Sequence, residues 1–206
     1  MNRDARQRPL PQRPAAALDL LIEEHRVILQ ALAALERRVD TFQSGGSFQR
    51  LWFAQMVTFL QAFAERRHHG KEEALLFAFL EEDLGYSRRT GPIMVLSGEH
   101  EMARKLLQDI GAAAGEAETE PAAARQLIAN AREYIRLLRV HIEREDDKVF
   151  PLVEVLLCPE EQARLADAFA GFEAKAEQAE QRAAALRLFG RLTRGGATGR
   201  TGPAVR

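Results

Sequence analysis

Two stretches of the chain repeat one pattern: His68-His69-Gly70-Lys71-Glu72-Glu73 running on to Phe77, and His141-Ile142-Glu143-Arg144-Glu145-Asp146 running on to Phe150-Pro151. Each reads His, three residues, Glu, a second acid, three residues, Phe. On an α-helix, residues four apart lie one above the other, so each stretch presents an imidazole and a carboxylate toward one point. A carboxylate on a core-facing stripe is costly unless it is paired or holds a cation. The chain must therefore bring these faces to a shared partner. Two helices facing each other across a metal cage meet that demand.

The apolar spacing around these stretches predicts helices throughout. From Pro14 to Phe42, Leu18, Leu21, Ile22, Ile28, Leu29, Leu32 and Leu35 recur at helical period, and His25 lies on the same stripe. Ser44-Gly45-Gly46-Ser47 breaks this helix, and Ser47 is placed to cap the next. The second helix is expected from Phe48 to about Asp83, with Gly70 inside it marking a bend or a close helix contact, because glycine there costs about 1 kcal/mol relative to alanine. Gly85 and Gly91-Pro92 punctuate a loop, and Pro92 opens a third helix with Ile93, Leu96, His100, Ala103, Leu107 and Ile110 inward. A turn from Gly115 leads to Pro121 and a fourth helix carrying Leu127, Ile135, Leu138, His141, Glu145, Val149 and Leu152. After Cys158-Pro159, with Glu160 and Glu161 in its first turn, a fifth helix is expected to reach about Phe189.

No strand-like alternation competes, so the expected class is all-α: an up-down-up-down four-helix bundle with an additional C-terminal helix. Residues 1–14, rich in Arg and Pro, read as a disordered arm. Residues 15–157 form the bundle, 158–190 the C-terminal helix packed on it, and 191–206 a flexible tail. Lys and Arg number 29 against 30 Asp and Glu, a formal charge of −1 that gives no field to gather nucleic acid or an acidic membrane. Cys158 is the only cysteine, which excludes an internal disulfide and a cysteine-based metal site. No apolar run approaches the roughly 18 residues that span a bilayer, and no apolar signal core follows the basic N-terminus, so a cytoplasmic location is expected.

The chain holds five histidines, and His25, His68, His100 and His141 fall one on each predicted bundle helix, all on buried stripes. A lone histidine on such a face is usually satisfied by hydrogen bonds. Four converging with Glu72 and Glu145 follow the logic of bundle metal sites, in which carboxylates and imidazoles from facing helices enclose two metals. Lys71 and Arg144 lie one residue off each stripe and are expected to project elsewhere, leaving the glutamates to a metal. The candidate ligands are His25, His68, Glu72, His100, His141 and Glu145.

The ordered set of His25, His68-x3-Glu72 with Glu73 and Leu76-Phe77, Glu99-His100, and His141-x3-Glu145 ending in Val149-Phe150-Pro151 resembles the hemerythrin-like, or HHE cation-binding, family. The resemblance spans about residues 15–157. It implies a non-haem centre of two iron ions, with terminal histidines, bridging carboxylates and an open position for dioxygen or a related small molecule. The donor types themselves suit iron or manganese. Oxygen-carrying members have a second histidine one turn before the one in the third helix, where this chain has Leu96. They also have an aspartate five residues after the last histidine, which leaves both Glu145 and Asp146 as candidates for the bridge; the parallel of Phe77 with Phe150 favours Glu145. His69, about 100° round the helix from His68, either fills the vacant coordination place or sits on the surface. Glu24, Glu73 and Glu99 are expected to be solvated or to support ligands, not to coordinate.

The implied function is a protein that binds or senses dioxygen, nitric oxide or peroxide. One alternative is a di-iron enzyme consuming peroxide or nitric oxide, or a factor supplying iron for iron–sulfur repair. The repair branch of the family usually carries N-terminal cysteines, and no cysteine precedes Cys158 here. The other alternative is a metal-stabilised helical interaction module.

Overall fold

The computed structural model describes residues 15–87 and 89–194. The arm of residues 1–14 and residues 195–206 of the expected tail lie outside the described residues, whereas Arg191–Arg194 continue a helix. Helix α1 spans Ala15–Gln43 and fills the first column of the bundle. The second column starts as α2 (Arg50–Leu60), widens into two π-helical segments, π1 (Gln61–His69) and π2 (Glu72–Leu76), and ends as α3 (Phe77–Glu82). Gly85, at φ 72°, closes that column, with the Gly85 and Tyr86 N–H groups bonding back to the carbonyls of Glu81 and Leu80. Helix α4 (Gly91–Ala114) is the third column, and α5 (Pro121–Arg144), π3 (Glu145–Val149) and α6 (Phe150–Leu156) make the fourth. Pro92 and Pro121 sit in the first turns of α4 and α5, where a missing N–H costs nothing.

The expected single C-terminal helix is two: α7 (Pro159–Glu173) and α8 (Ala176–Arg194), joined at Ala174-Lys175. The break lets the pair run past both halves of the bundle, α7 along one apolar core and α8 along the other. Leu165 and Phe169 of α7 join an apolar cluster with Leu18, Leu21, Leu76, Phe77, Leu96 and Phe150. Phe189 and Leu192 of α8 join the larger cluster with Ile28, Leu32, Phe53, Phe59, Leu107 and Leu138. Phe189 stacks on Phe59 with ring centroids 4.8 Å apart, and the Trp52 indole N–H donates to the Leu192 carbonyl at 3.3 Å.

Between the two clusters lies a polar layer. His25 separates Leu21 from Ile28, His68 separates Ala64 from Leu76, and His100 separates Leu96 from Ala103, so three columns cross from one apolar core to the other through a histidine, while the fourth crosses at Glu145, between Ile142 and Val149. The π segments fall at this layer. The N–H groups of Gly70, Phe77 and Phe150 each reach the carbonyl five residues back, at Glu65, Glu72 and Glu145, which widens the turn beside the inward side chains. Gly70 neither bends the helix nor meets a neighbour closely: φ −61° and ψ −38° are helical, and the nearest atom to an added Cβ is 3.9 Å away. No helix among the described residues is long and apolar enough to cross a membrane.

Candidate metal centre

The histidines and the two inward glutamates form two groups of buried donors, each with its donor atoms within 4.8 Å of one another: His25, His68, Glu72 and Glu145, and His69, Glu72, His100 and His141. Glu72 belongs to both, its Oε1 lying 3.3 Å from His68 Nε2 and its Oε2 3.3 Å from His100 Nε2. Glu145 belongs to the first group alone, but one oxygen, Oε2, lies 3.2 Å from His25 Nε2 and 3.3 Å from His141 Nε2 of the second. These contacts are short but misaligned for hydrogen bonding. Both oxygens of Glu72 and of Glu145, and Nε2 of His25 and His68, are buried without a hydrogen bond. Orphaned polar atoms of this kind are rare in folded proteins, because each loses its hydration without compensation. Six of them converging from imidazoles and carboxylates fit bound metal.

Every histidine holds its other nitrogen, Nδ1, against a carboxylate. Glu24 of α1 meets His68 at 3.1 Å, Glu73 meets His100 of α4 at 2.8 Å, Glu99 of α4 meets His141 of α5 at 2.9 Å, and Asp146 meets His25 of α1 at 2.7 Å. The support thus passes from column to column and closes on itself around the bundle. Fixing Nδ1 in this way sets the tautomer and turns Nε2 inward, as in carboxylate–histidine–metal arrangements. The supports are braced in turn: Arg104 donates to Glu73 at 2.9 Å, Arg144 to Glu99, and Lys71 and Arg67 to Glu24 at 2.7 and 3.1 Å.

His69 is buried, not a surface residue, at 1% exposure. Its ring stacks on His100 with centroids 3.9 Å apart, and its Nδ1 lies 3.0 Å from Glu65, which accepts a hydrogen bond from the Tyr134 hydroxyl at 3.1 Å. Glu65 and Tyr134 were outside the sequence-based expectation. The clue was present, since Glu65 precedes His69 by the same four residues that separate His68 from Glu72. Asp146 falls in neither donor group; one residue beyond Glu145 it turns behind His25 and is about one-third exposed. Lys71, expected to project away from the stripe, belongs to neither donor group and is fully buried against Glu24.

Electrostatics at the centre favour positive charge. Burial opposes protonation of His25, but the Asp146 and Glu145 carboxylates outweigh it and push its pKa up to about 10. His100 is raised to about 9 in the same way by Glu72 and Glu73 against burial. Burial resists ionisation of Glu24, yet His68 and Lys71 bring it down to about 2, and Glu72 is lowered by His68, His100 and His141 despite its burial. His69 goes the other way. Burial, reinforced by the nearby His100 and His141, holds it well below the ordinary range and keeps it a neutral donor, while burial lifts its partner Glu65 to about 7 against the Tyr134 hydrogen bond.

The all-α bundle with its polar layer, the ring of carboxylate-supported histidines and the orphaned glutamates describe a metal-binding helical protein. No curated protein matches the chain. The family model of the hemerythrin HHE cation binding domain matches residues 16–153, from the second described residue of α1 into α6. The chain belongs to the hemerythrin HHE cation-binding family.

Proposed function

We propose that the polar layer is a carboxylate-bridged, non-haem di-iron centre that binds or senses dioxygen or a related small molecule such as nitric oxide or peroxide. The observation that carries this reading is the placement of Glu72 and Glu145, each buried, without a hydrogen bond, and facing a histidine of both donor groups. His25 and His68 would hold one ion and His69, His100 and His141 the other. Iron so held would supply redox chemistry and a place for a diatomic ligand to bind.

The protein's own residues orient and dry the site. Glu24, Glu65, Glu73, Glu99 and Asp146 fix the five imidazoles from behind. Phe77 stacks beside His100 and Phe150 beside His25, with centroids 5.7 and 5.6 Å apart, and both rings are buried. Leu96, fully buried one turn before His100, adds an apolar side chain where oxygen carriers have a ligand. Water is thereby kept from the donors, which strengthens each electrostatic contact. The test is an anaerobic optical spectrum of iron-loaded protein before and after air, nitric oxide or peroxide, with metal analysis. Two irons per chain and a reversible spectral change with one of these ligands support the proposal; uptake of zinc alone, with no iron bound, counts against it. Sustained catalytic loss of peroxide would move the protein to the enzymes.

A further inference from the structure

The two halves of the bundle repeat one arrangement, and the point where they differ involves the helix pair outside the family domain. In one half, Glu99 supports His141 and is braced by Arg144, three residues after that histidine. In the other, Glu24 supports His68 and is braced by Lys71, again three residues on. Arg144 is 30% and Glu99 16% exposed, so water moderates that pair. Lys71 is 0% and Glu24 2% exposed, and Arg67, 4% exposed, crowds the same carboxylate. Two buried cations against one carboxylate leave an uncompensated charge, which is expensive in a protein interior. Glu173, the last residue of α7, supplies the missing charge: its Oε1 accepts from Lys71 at 3.0 Å and its Oε2 from Arg67. Arg67 also donates to the Gln178 carbonyl of α8 at 3.2 Å.

We propose that Glu173 is a positioning residue of the metal centre: by balancing Lys71 and Arg67 it holds Glu24 against His68, so that docking of the α7–α8 pair and metal occupancy of the His25/His68 side depend on each other. The inference rests on the metal-centre reading above. Without Glu173, Lys71 and Arg67 compete for Glu24 and draw it from His68 Nδ1, and His68 loses the support that aims Nε2. Binding linkage is reciprocal, so a metal that tightens His68 also tightens the docking of the helix pair.

The full-length protein is titrated anaerobically with ferrous ion, and with cobalt(II) as a spectroscopic probe, beside Glu173→Gln. The variant is expected to bind one of its two equivalents roughly tenfold more weakly, the loss typical of an outer supporting group, and to bind the other as the parent does. The weakened equivalent should be the one that His25→Ala abolishes and His69→Ala spares. Adding Lys71→Met to Glu173→Gln restores one cation to one carboxylate and should recover most of the affinity. A second arm needs no variant: amide hydrogen exchange around Glu173–Gln178 in the parent should slow on metal loading. Equal affinities in parent and Glu173→Gln, equal weakening of both equivalents, or exchange that ignores the metal would each overturn the proposal while leaving the metal centre intact. A parent that binds no metal overturns both.

Discussion

Glu72 and His69 are asked to do different things, and their substitution separates them. Glu72 stands in both donor groups, so Glu72→Ala is expected to lose both metals, whereas His69→Ala should leave one metal per chain on the His25/His68 side. Metal analysis by mass spectrometry after desalting distinguishes two, one and zero. Asp146→Ala should keep two metals with one held at least about tenfold more weakly, because it removes only the support behind His25. If Asp146→Ala loses both ions while Glu145→Ala keeps them, the bridge is one residue further along. Much of this was legible in the residues: four histidines on four stripes and two glutamates at four-residue spacing already converge on a helical wheel. The position of His69 was not, because the ideal 100° step carries it off the stripe and the widened π1 turn is a tertiary accommodation that no residue type announces. Lys71 does leave the stripe, but the partners it meets there were not legible. A stripe drawn on one helix does not show that α7 covers the neighbouring face.

At the level of elements, the π segments and not Gly70 give the second column its shape. Gly70 has ordinary helical angles and room for a Cβ, so Gly70→Ala should leave metal loading unchanged and stabilise the protein by roughly 0.5–1 kcal/mol through helix propensity and loss of unfolded-chain freedom. Thermal or urea denaturation of loaded protein measures this, and a destabilised variant would show that the glycine is needed after all. The helix count of the bundle followed from turn residues: Gly45, Gly85 and Gly91 take positive φ, and Pro92 and Pro121 stand in first turns. The break between α7 and α8 had no such signal. Ala174 and Lys175 are good helix formers, and the chain turns there because Glu173 is held by Lys71 and Arg67 while Phe189 and Leu192 reach the other core.

The molecule as a whole is two apolar cores joined through a layer of charged and polar donors, so its stability should depend on what that layer holds. Free metal at a hundredfold excess over its dissociation constant stabilises by about 2.7 kcal/mol. For a chain of this size that corresponds to roughly 5–10 °C in melting temperature. Calorimetry with and without a chelator tests it, and identical melting curves would show that the layer is held by protein contacts alone. The chain also carries its own optical reporter. Trp52 is the only tryptophan, and it lies sixteen residues before His68, roughly 24 Å along the column at helical rise. Its indole is hydrogen-bonded to the Leu192 carbonyl beneath the Arg38 guanidinium, 4.8 Å from the ring. Fluorescence from this protein is therefore a gauge of whether the last turn of α8 is seated. Peeling that turn away, by ending the chain at Phe189 or by mild denaturant, should redden the emission maximum as water reaches the indole. Intrinsic fluorescence then follows the far end of α8 while absorbance follows the metals, and the two signals can be watched in one cuvette.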